Sequence, residues 1–339
     1  MLYNELADFK NEVVIMINCF TDFLLVVFNI IAVIGFTSSP FTIELFVFIT
    51  QSSNLLVKEC RIFVRTLQIL RWCPLLCMGL EIYFIGGAVG WNIFQCFFPK
   101  SIWTFSLNLM VCGLVCLIAK IRCYFAAINH AIEDIEKKHL AFQNEDSTVY
   151  VLRESHPKNE ETDNYVQCLN HISNQYTQMC NFIDRFNCYI RLFLVMGILS
   201  ITVNILCSCS ILIEFGTKTK TLFDITTQRV LLAVQLISII INVGQIGLCA
   251  LIGEDLQNEG QKTSSICYSI LNKLNRNSKN EKNNLFMKEL NFLVQQSQSR
   301  KVCVHAGGFF QLNWGILGSV TSTVATYSIV IIQFLIKRD

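Results

Sequence analysis

The chain has 339 residues, 53% of them hydrophobic and only 15% charged, with 26 Phe, four Pro and a formal net charge of +2. Soluble domains carry about a quarter charged residues, so this composition excludes an ordinary water-soluble enzyme. The near-neutral charge balance gives no pointer to nucleic acid.

A chain this apolar with so few prolines reads as an all-α integral membrane protein, because irregular backbone exposed to lipid leaves its polar groups unpaired. Most of the 16 cysteines lie inside apolar runs, among them Cys73, Cys77, Cys112, Cys116, Cys207, Cys209 and Cys249. There a free thiol acts as a small hydrophobe. Cys207 and Cys209 are one residue apart and point to different helix faces, which suits neither a disulfide nor a tetrahedral metal site. No metal and no cofactor are expected. There is no Asn-x-Ser/Thr acceptor, consistent with short outer loops.

The first residues, with Glu5, Asp8, Lys10 and Glu12, lack a basic leader with a small-residue cleavage site. A first membrane span is expected over about 13–35 and a second over about 41–57, followed by a basic linker with Lys58, Arg61, Arg65 and Arg71. A third span (about 72–98) and a fourth (about 101–119) meet at a hinge, Pro99-Lys100. Beyond the fourth, Ile121, Tyr124, Phe125, Ile128, Ala131, Ile132 and Ile135 recur at helical spacing among charged residues, so the helix continues into water as an amphipathic extension. Residues 141–162 read as a polar loop. A second amphipathic stripe, Leu169, Ile172, Tyr176, Met179, Ile183, Phe186 and Ile190, leads into the fifth span (about 192–215), and the two extensions are expected to pack together. A loop over 216–228 precedes the sixth span, about 230–252. The polar segment 254–300 carries two more apolar faces, Ile266, Ile270, Leu271, Leu274 and Leu285, Phe286, Leu290, Leu293.

Residues 307–336 form the seventh span and hold no Asp, Glu, Lys, Arg or His. Gly315, Ser319, Ser322, Thr326 and Gln333 are spaced by four, three, four and seven, which places them on one helix face. Two readings of this stripe stay open on spacing alone. It is either a close helix-packing face, as small residues permit, or the lining of a water-filled pore.

The domain plan is therefore four spans over 1–119, amphipathic extensions and loop over 120–190, two spans over 191–252, further polar-side helices over 253–305, and the last span over 306–339. Lys58, Arg61, Arg65, Arg71, Lys120, Arg122, Arg185 and Arg191 fall on one side, and the smaller set Lys100, Lys218, Lys220, Arg229, Lys337 and Arg338 on the other. The excess predicts a cytoplasmic N-terminus and an extracellular C-terminus. That is opposite to a seven-helix G-protein-coupled receptor, whose Asn-Pro-x-x-Tyr and Asp-Arg-Tyr motifs are also missing.

The end of the last span reads Thr326-Tyr327, five residues, then Gln333-Phe334. This resembles the TYhhhhhQF signature of insect gustatory receptors. Upstream, Gln295-Gln296, Val302, Ala306, Gly308, Phe309, Phe310 and Leu312 resemble that family's approach to its seventh span. The resemblance implies a tastant-gated, non-selective cation channel in the plasma membrane, a homo- or heterotetramer with other gustatory receptor subunits. Four last spans would surround the pore, with Gln333 and Phe334 at the outer gate and Thr326, Ser322 and Ser319 lining it. Tyr327 would brace the pore helix against its own subunit. The resemblance shifts the stripe from packing to pore. Family members tuned to sugars tend to carry Glu where Gln333 stands, so tuning is expected outside sugars.

Polar and aromatic groups are expensive in lipid and should turn inward. For a small-molecule tastant the outer halves of the spans offer Glu44, Trp91, Asn92, Gln95, Trp103, Ser106, Asn108, Asn204, Glu214 and Gln235. Each can equally serve as an interhelical hydrogen bond. No nucleotide loop, paired His ligands or nucleophile with a base appears, so no enzyme is expected. A secondary transporter would show inverted repeats and broken helices, with only Gly86, Gly87 and Gly90 as a candidate break. A non-conducting subunit that needs a co-receptor would keep the pore motif.

Overall fold

The structure is a computed structural model, which describes residues 91–148, 158–217, 225–277, 283–306 and 308–336, together with Phe23, Val26, Val27, Ile30, Leu75, Met78, Gly79, Ile82, Tyr83 and Gly87. The expected first and second spans lie outside the described residues apart from those few positions, as does most of the third. What is described is helical but for one short connection: α1 (Trp91–Thr148), α2 (Lys158–Thr217), α3 (Ile225–Asn277), α4 (Asn283–Ser299) and α5 (Trp314–Ile336).

The lengths set the architecture. At 1.5 Å per residue the 58 residues of α1 extend about 87 Å, far more than the roughly 30 Å of a hydrocarbon core. The 60 residues of α2 and the 53 of α3 do the same, so each helix must leave the apolar layer and continue as one rod. Four helices among the described residues are long and apolar enough to cross a membrane, over Thr104–Lys138, Asn164–Ile213, Gln228–Leu274 and Trp314–Gln333.

Side-chain pairs give the directions. Arg122 with Glu259, Asn129 with Thr263 and Glu136 with Lys273 rise together in number, so α1 and α3 run parallel. Phe125 meets Tyr176, and Leu107 lies beside Gly197, so α2 runs antiparallel to α1. Helix α3 is central, touching α1, α2, α4 and α5.

The expected faces are the buried ones, except that Leu285 on α4 is exposed. Ile121, Phe125, Ile128 and Ile132 on α1 close against Leu169, Ile172, Tyr176, Met179, Ile183, Phe186 and Ile190 on α2, with Tyr124, Ala131 and Ile135 packed at the margin. Phe125 and Tyr176 meet edge to face at 5.5 Å between ring centroids, a geometry favoured by the ring quadrupoles. Ile270 and Leu274 of α3 and Phe286, Leu290 and Leu293 of α4 complete the same core.

The structure departs from the sequence reading at four connections. There is no hinge at Pro99-Lys100, because α1 carries 91–98 and the fourth span as one helix. A proline there forfeits one hydrogen bond and crowds the carbonyl of Gln95, losses that neighbours in a membrane bundle can make good. The expected loop over 141–162 is helical over 141–148 and 158–162. The loop over 216–228 narrows likewise, since α2 runs to Thr217 and α3 starts at Ile225. Of the two apolar faces in 254–300, the first is a continuation of α3 and only the second is a separate helix.

One buried polar group sits inside this core. The Asn129 amide donates to the Glu259 carbonyl oxygen at 2.9 Å and to its carboxylate at 3.0 Å, and its Oδ1 accepts from the Thr263 hydroxyl at 2.7 Å. Thr263 and Asn129 are almost wholly buried, so an unmade bond here has no water to replace it. Thr263→Val keeps the shape and leaves Asn129 Oδ1 orphaned, so thermal unfolding of the purified protein in detergent should show a loss of about 1–3 kcal/mol. A variant that melts with wild type would show that the network adds nothing.

Candidate functional site

Among the described residues, helix α5 is the one membrane-crossing helix that its own chain scarcely covers. Only 11% of its apolar window is buried, against 56%, 44% and 39% for the windows of α1, α2 and α3. Its buried residues, Leu312 just before it and then Ile316 and Val320, continue through the half-buried Val324 and Ser328 along one line spaced by four. That line faces α2 and α3. The helical rotation of 100° per residue puts Gly315, Ser319, Ser322, Thr326 and Gln333 on the opposite side, and all five are exposed.

Four of the hydroxyls on α5 are satisfied within the helix. Ser319 donates to the Gly315 carbonyl at 3.0 Å, Thr323 to Ser319 at 2.9 Å, Thr326 to Ser322 at 2.9 Å and Thr321 to Leu317 at 2.7 Å. Such back-bonding to the preceding turn lets Ser and Thr sit in a membrane helix without a partner helix. Tyr327 is 56% exposed, so the described residues do not hold it against its own subunit as expected. Phe334 lies on the last turn of α5, its side chain outside the described residues.

The base of α5 is built by residues 300–313. Ala306 N donates to the Phe310 carbonyl at 2.9 Å and Leu312 N to Val304 at 2.9 Å, with His305 and Gln311 bridged as antiparallel neighbours. Gly308 turns the chain at φ 87°, in the left-handed region open to glycine. This hairpin lies directly on α3. A Cβ on Gly253 would stand 2.2 Å from the Leu312 carbonyl oxygen, and one on Gly260 would stand 2.5 Å from Val302 Cβ. The two glycines are seven residues apart, on one face. Asn313 then caps α5, its Oδ1 accepting from Gly315 N at 3.0 Å. The Nδ1 of His305 is buried without a hydrogen-bond partner.

Four of the ten expected ligand residues have side chains among the described residues. Glu44 lies outside the described residues, as do the side chains of Trp91, Asn92, Gln95 and Trp103 on α1 and Glu214 on α2. Ser106 bonds back to the Ile102 carbonyl at 3.0 Å, Gln235 is half-buried on α3, and Asn204 is buried on α2. Asn108 is buried on α1 with its Oδ1 unpartnered. A small, partly open cleft of about 20 Å³ lies where α1, α2, α3 and the base of α5 converge. Its lining is apolar throughout, Val111, Leu114, Phe193, Leu194, Gly197, Ile198, Ile201, Ile246, Cys249 and Ile316, and includes none of the ten. Sequence reasoning missed the two seat glycines and Asn187, which binds the hairpin. The spacing of seven between Gly253 and Gly260 was the available signal for the seat.

Long helices shared between an apolar layer and a polar extension, with a last helix little buried among the described residues, define a multi-pass helical membrane protein. The family model described as 7tm Chemosensory receptor matches residues 12–337, and the chain belongs to that family, a family of receptors and not of enzymes. Its fold is similar to that of the insect olfactory receptor OR5 from Machilis hrabei, solved in complex with eugenol, at a TM-score of 0.52 and 12% identity, over 85% of this chain and 69% of that one. No curated protein matches the sequence.

The seat makes a matched pair of substitutions informative. Gly253→Ala forces a carbonyl and a methyl group apart and should destabilise by about 1–3 kcal/mol. Gly247→Ala, with nothing within 4 Å, should be neutral or gain up to about 1 kcal/mol of helix propensity. Thermal unfolding in detergent reads both, and equal melting of the two variants would refute the seat.

Proposed function

We propose that the chain is a gustatory receptor, a tastant-gated, non-selective cation channel that assembles as a tetramer in the plasma membrane. The observation that carries this reading is the outward-facing polar stripe of α5 on a helix so little covered by its own chain. Four copies arranged about an axis would cover the aliphatic flanks of α5 and enclose the stripe. The Thr326-Tyr327/Gln333-Phe334 pattern favours a gustatory receptor over an olfactory one. With the N-terminus cytoplasmic, Gln333 and Phe334 form the outer gate, and Thr326, Ser322 and Ser319 line the path below. The Gln333 amides would close a hydrogen-bonded ring and the Phe334 rings a hydrophobic constriction. Homomeric or heteromeric assembly with other gustatory receptor subunits would both supply four such helices.

The tastant, a small organic molecule, would bind among the outer-half residues named above. Asn108 has the firmest support of these, since a buried amide oxygen without a donor is a ready acceptor for a ligand group.

Whole-cell recording from cells expressing this chain alone, over a tastant panel, tests the reading. Gln333→Ala removes about 1 kcal/mol of closed-state hydrogen bonding per subunit and should raise ligand-independent current about fivefold or more, with the tetramer unchanged on a native gel. Equal currents would refute the gate assignment, and solute uptake without current would refute the channel. A second measurement reads the topology: a tag after Asp339 should be labelled on intact cells and one before Met1 only after permeabilisation.

A further inference from the structure

Because α5 is so little buried along its length, its base is where it is most firmly held. The base is a two-stranded hairpin, and one strand of a hairpin always presents an outer edge of backbone donors and acceptors. On the strand 303–305 that edge is the Cys303 carbonyl and the His305 amide. Asn187 of α2 meets both, donating from Nδ2 to the Cys303 oxygen at 2.9 Å and accepting at Oδ1 from His305 N at 3.1 Å. Asn and Gln are the neutral side chains that offer an amide donor and a carbonyl acceptor side by side, as a neighbouring strand would. Asn187 is 3% exposed, so neither bond can be exchanged for water.

Two further contacts fasten the approach to the hairpin to the same helix. Ser173 donates to Gln296 Oε1 at 3.0 Å, and Arg300 donates to Asn181 Oδ1 at 2.5 Å. Both lie on the α4 side of the hairpin, before its strands begin. Asn187 alone of the three grips the strand that pairs with the one leading into α5, through Leu312 N to the Val304 carbonyl and then the Asn313 cap.

We propose that Asn187 is a positioning residue for the pore helix, acting through the hairpin to set the direction in which α5 leaves its seat. The proposal rests on the reading of α5 as a pore helix. Its prediction is specific: loosening one side chain on α2 displaces a helix more than a hundred residues away in sequence while α2 and α3 stay folded.

The test uses the full chain in lipid nanodiscs with Thr326→Cys as a reporter, oxidised with copper phenanthroline and compared with the chain lacking that cysteine. Alongside, hydrogen exchange is followed at the amides of His305, Ala306, Leu312 and Gly315. Asn187→Leu removes both bonds at similar volume, Asn187→Asp keeps the acceptor, and Thr177→Val is the control on the same helix. Asn187→Leu should cut the cross-linked fraction about fivefold and speed exchange at those four amides about tenfold or more, with α2 and α3 amides unchanged. Asn187→Asp should keep His305 protected, and Thr177→Val should match wild type. Wild-type cross-linking and exchange in Asn187→Leu would overturn the proposal, and so would exchange raised throughout α2 and α3. If the reporter fails to cross-link in the wild-type background, the pore reading falls, while exchange at Gly315 still decides whether Asn187 positions α5.

Discussion

The contact on which the rest of the molecule depends is backbone against backbone: the Leu312 carbonyl pressed onto α3 at Gly253, with Val302 over Gly260 one heptad further on. A side chain at either position would lift the hairpin, and with it the start of α5. Burial does not provide a substitute, since α5 makes few contacts above its first two turns. The orientation of an entire membrane-crossing helix is thus delegated to about a dozen residues at one end. Rigid elements tolerate such delegation because a hairpin with paired edges and an α-helix both resist bending far better than a loop does.

The same economy explains the length of α1, α2 and α3. If each helix ended at the membrane surface, the polar-side core of Ile121, Phe125, Tyr176 and Phe186 would be a separate domain joined by linkers. Continuous helices make it one body with the apolar layer. The Asn129–Thr263–Glu259 group then pins α1 to α3 in a single register, because a slip of one residue would strand a buried amide. Movements in the apolar layer and contacts in the polar layer therefore act on shared rods.

Much of this was legible in the sequence, and the limits have physical causes. The buried faces of α1 and α2 were readable residue by residue because burial on a helix repeats every 3.6 positions, and a stripe such as Leu169 to Ile190 has no other explanation. The continuity of α3 was not readable: Gly253 and Gly260 lower helix propensity, and their value lies in a partner some fifty residues on. Pro99 misled for a similar reason, since a local penalty is outweighed by a context the sequence does not display. Asn187 gave no signal, being one polar residue beside an amphipathic stripe full of them. For the last helix, spacing identified which residues share a face, but not which way that face is turned. The expected pocket was least legible of all, because inward-turned polar groups scattered over several spans do not say whether they converge.

The back-bonded hydroxyls of α5 have one more consequence. Ser319, Thr323 and Thr326 each spend their proton on a carbonyl of the preceding turn, which leaves only oxygen lone pairs turned outward. Below Gln333, whatever meets this face is offered electron-rich oxygen at those three positions. Potassium or sodium can exchange hydration water for such oxygens, whereas chloride would need hydrogens that these three hydroxyls have already given to the backbone. If α5 lines a pore as proposed, these oxygens would suit a cation better than an anion, without a single acidic residue between Trp314 and Ile336.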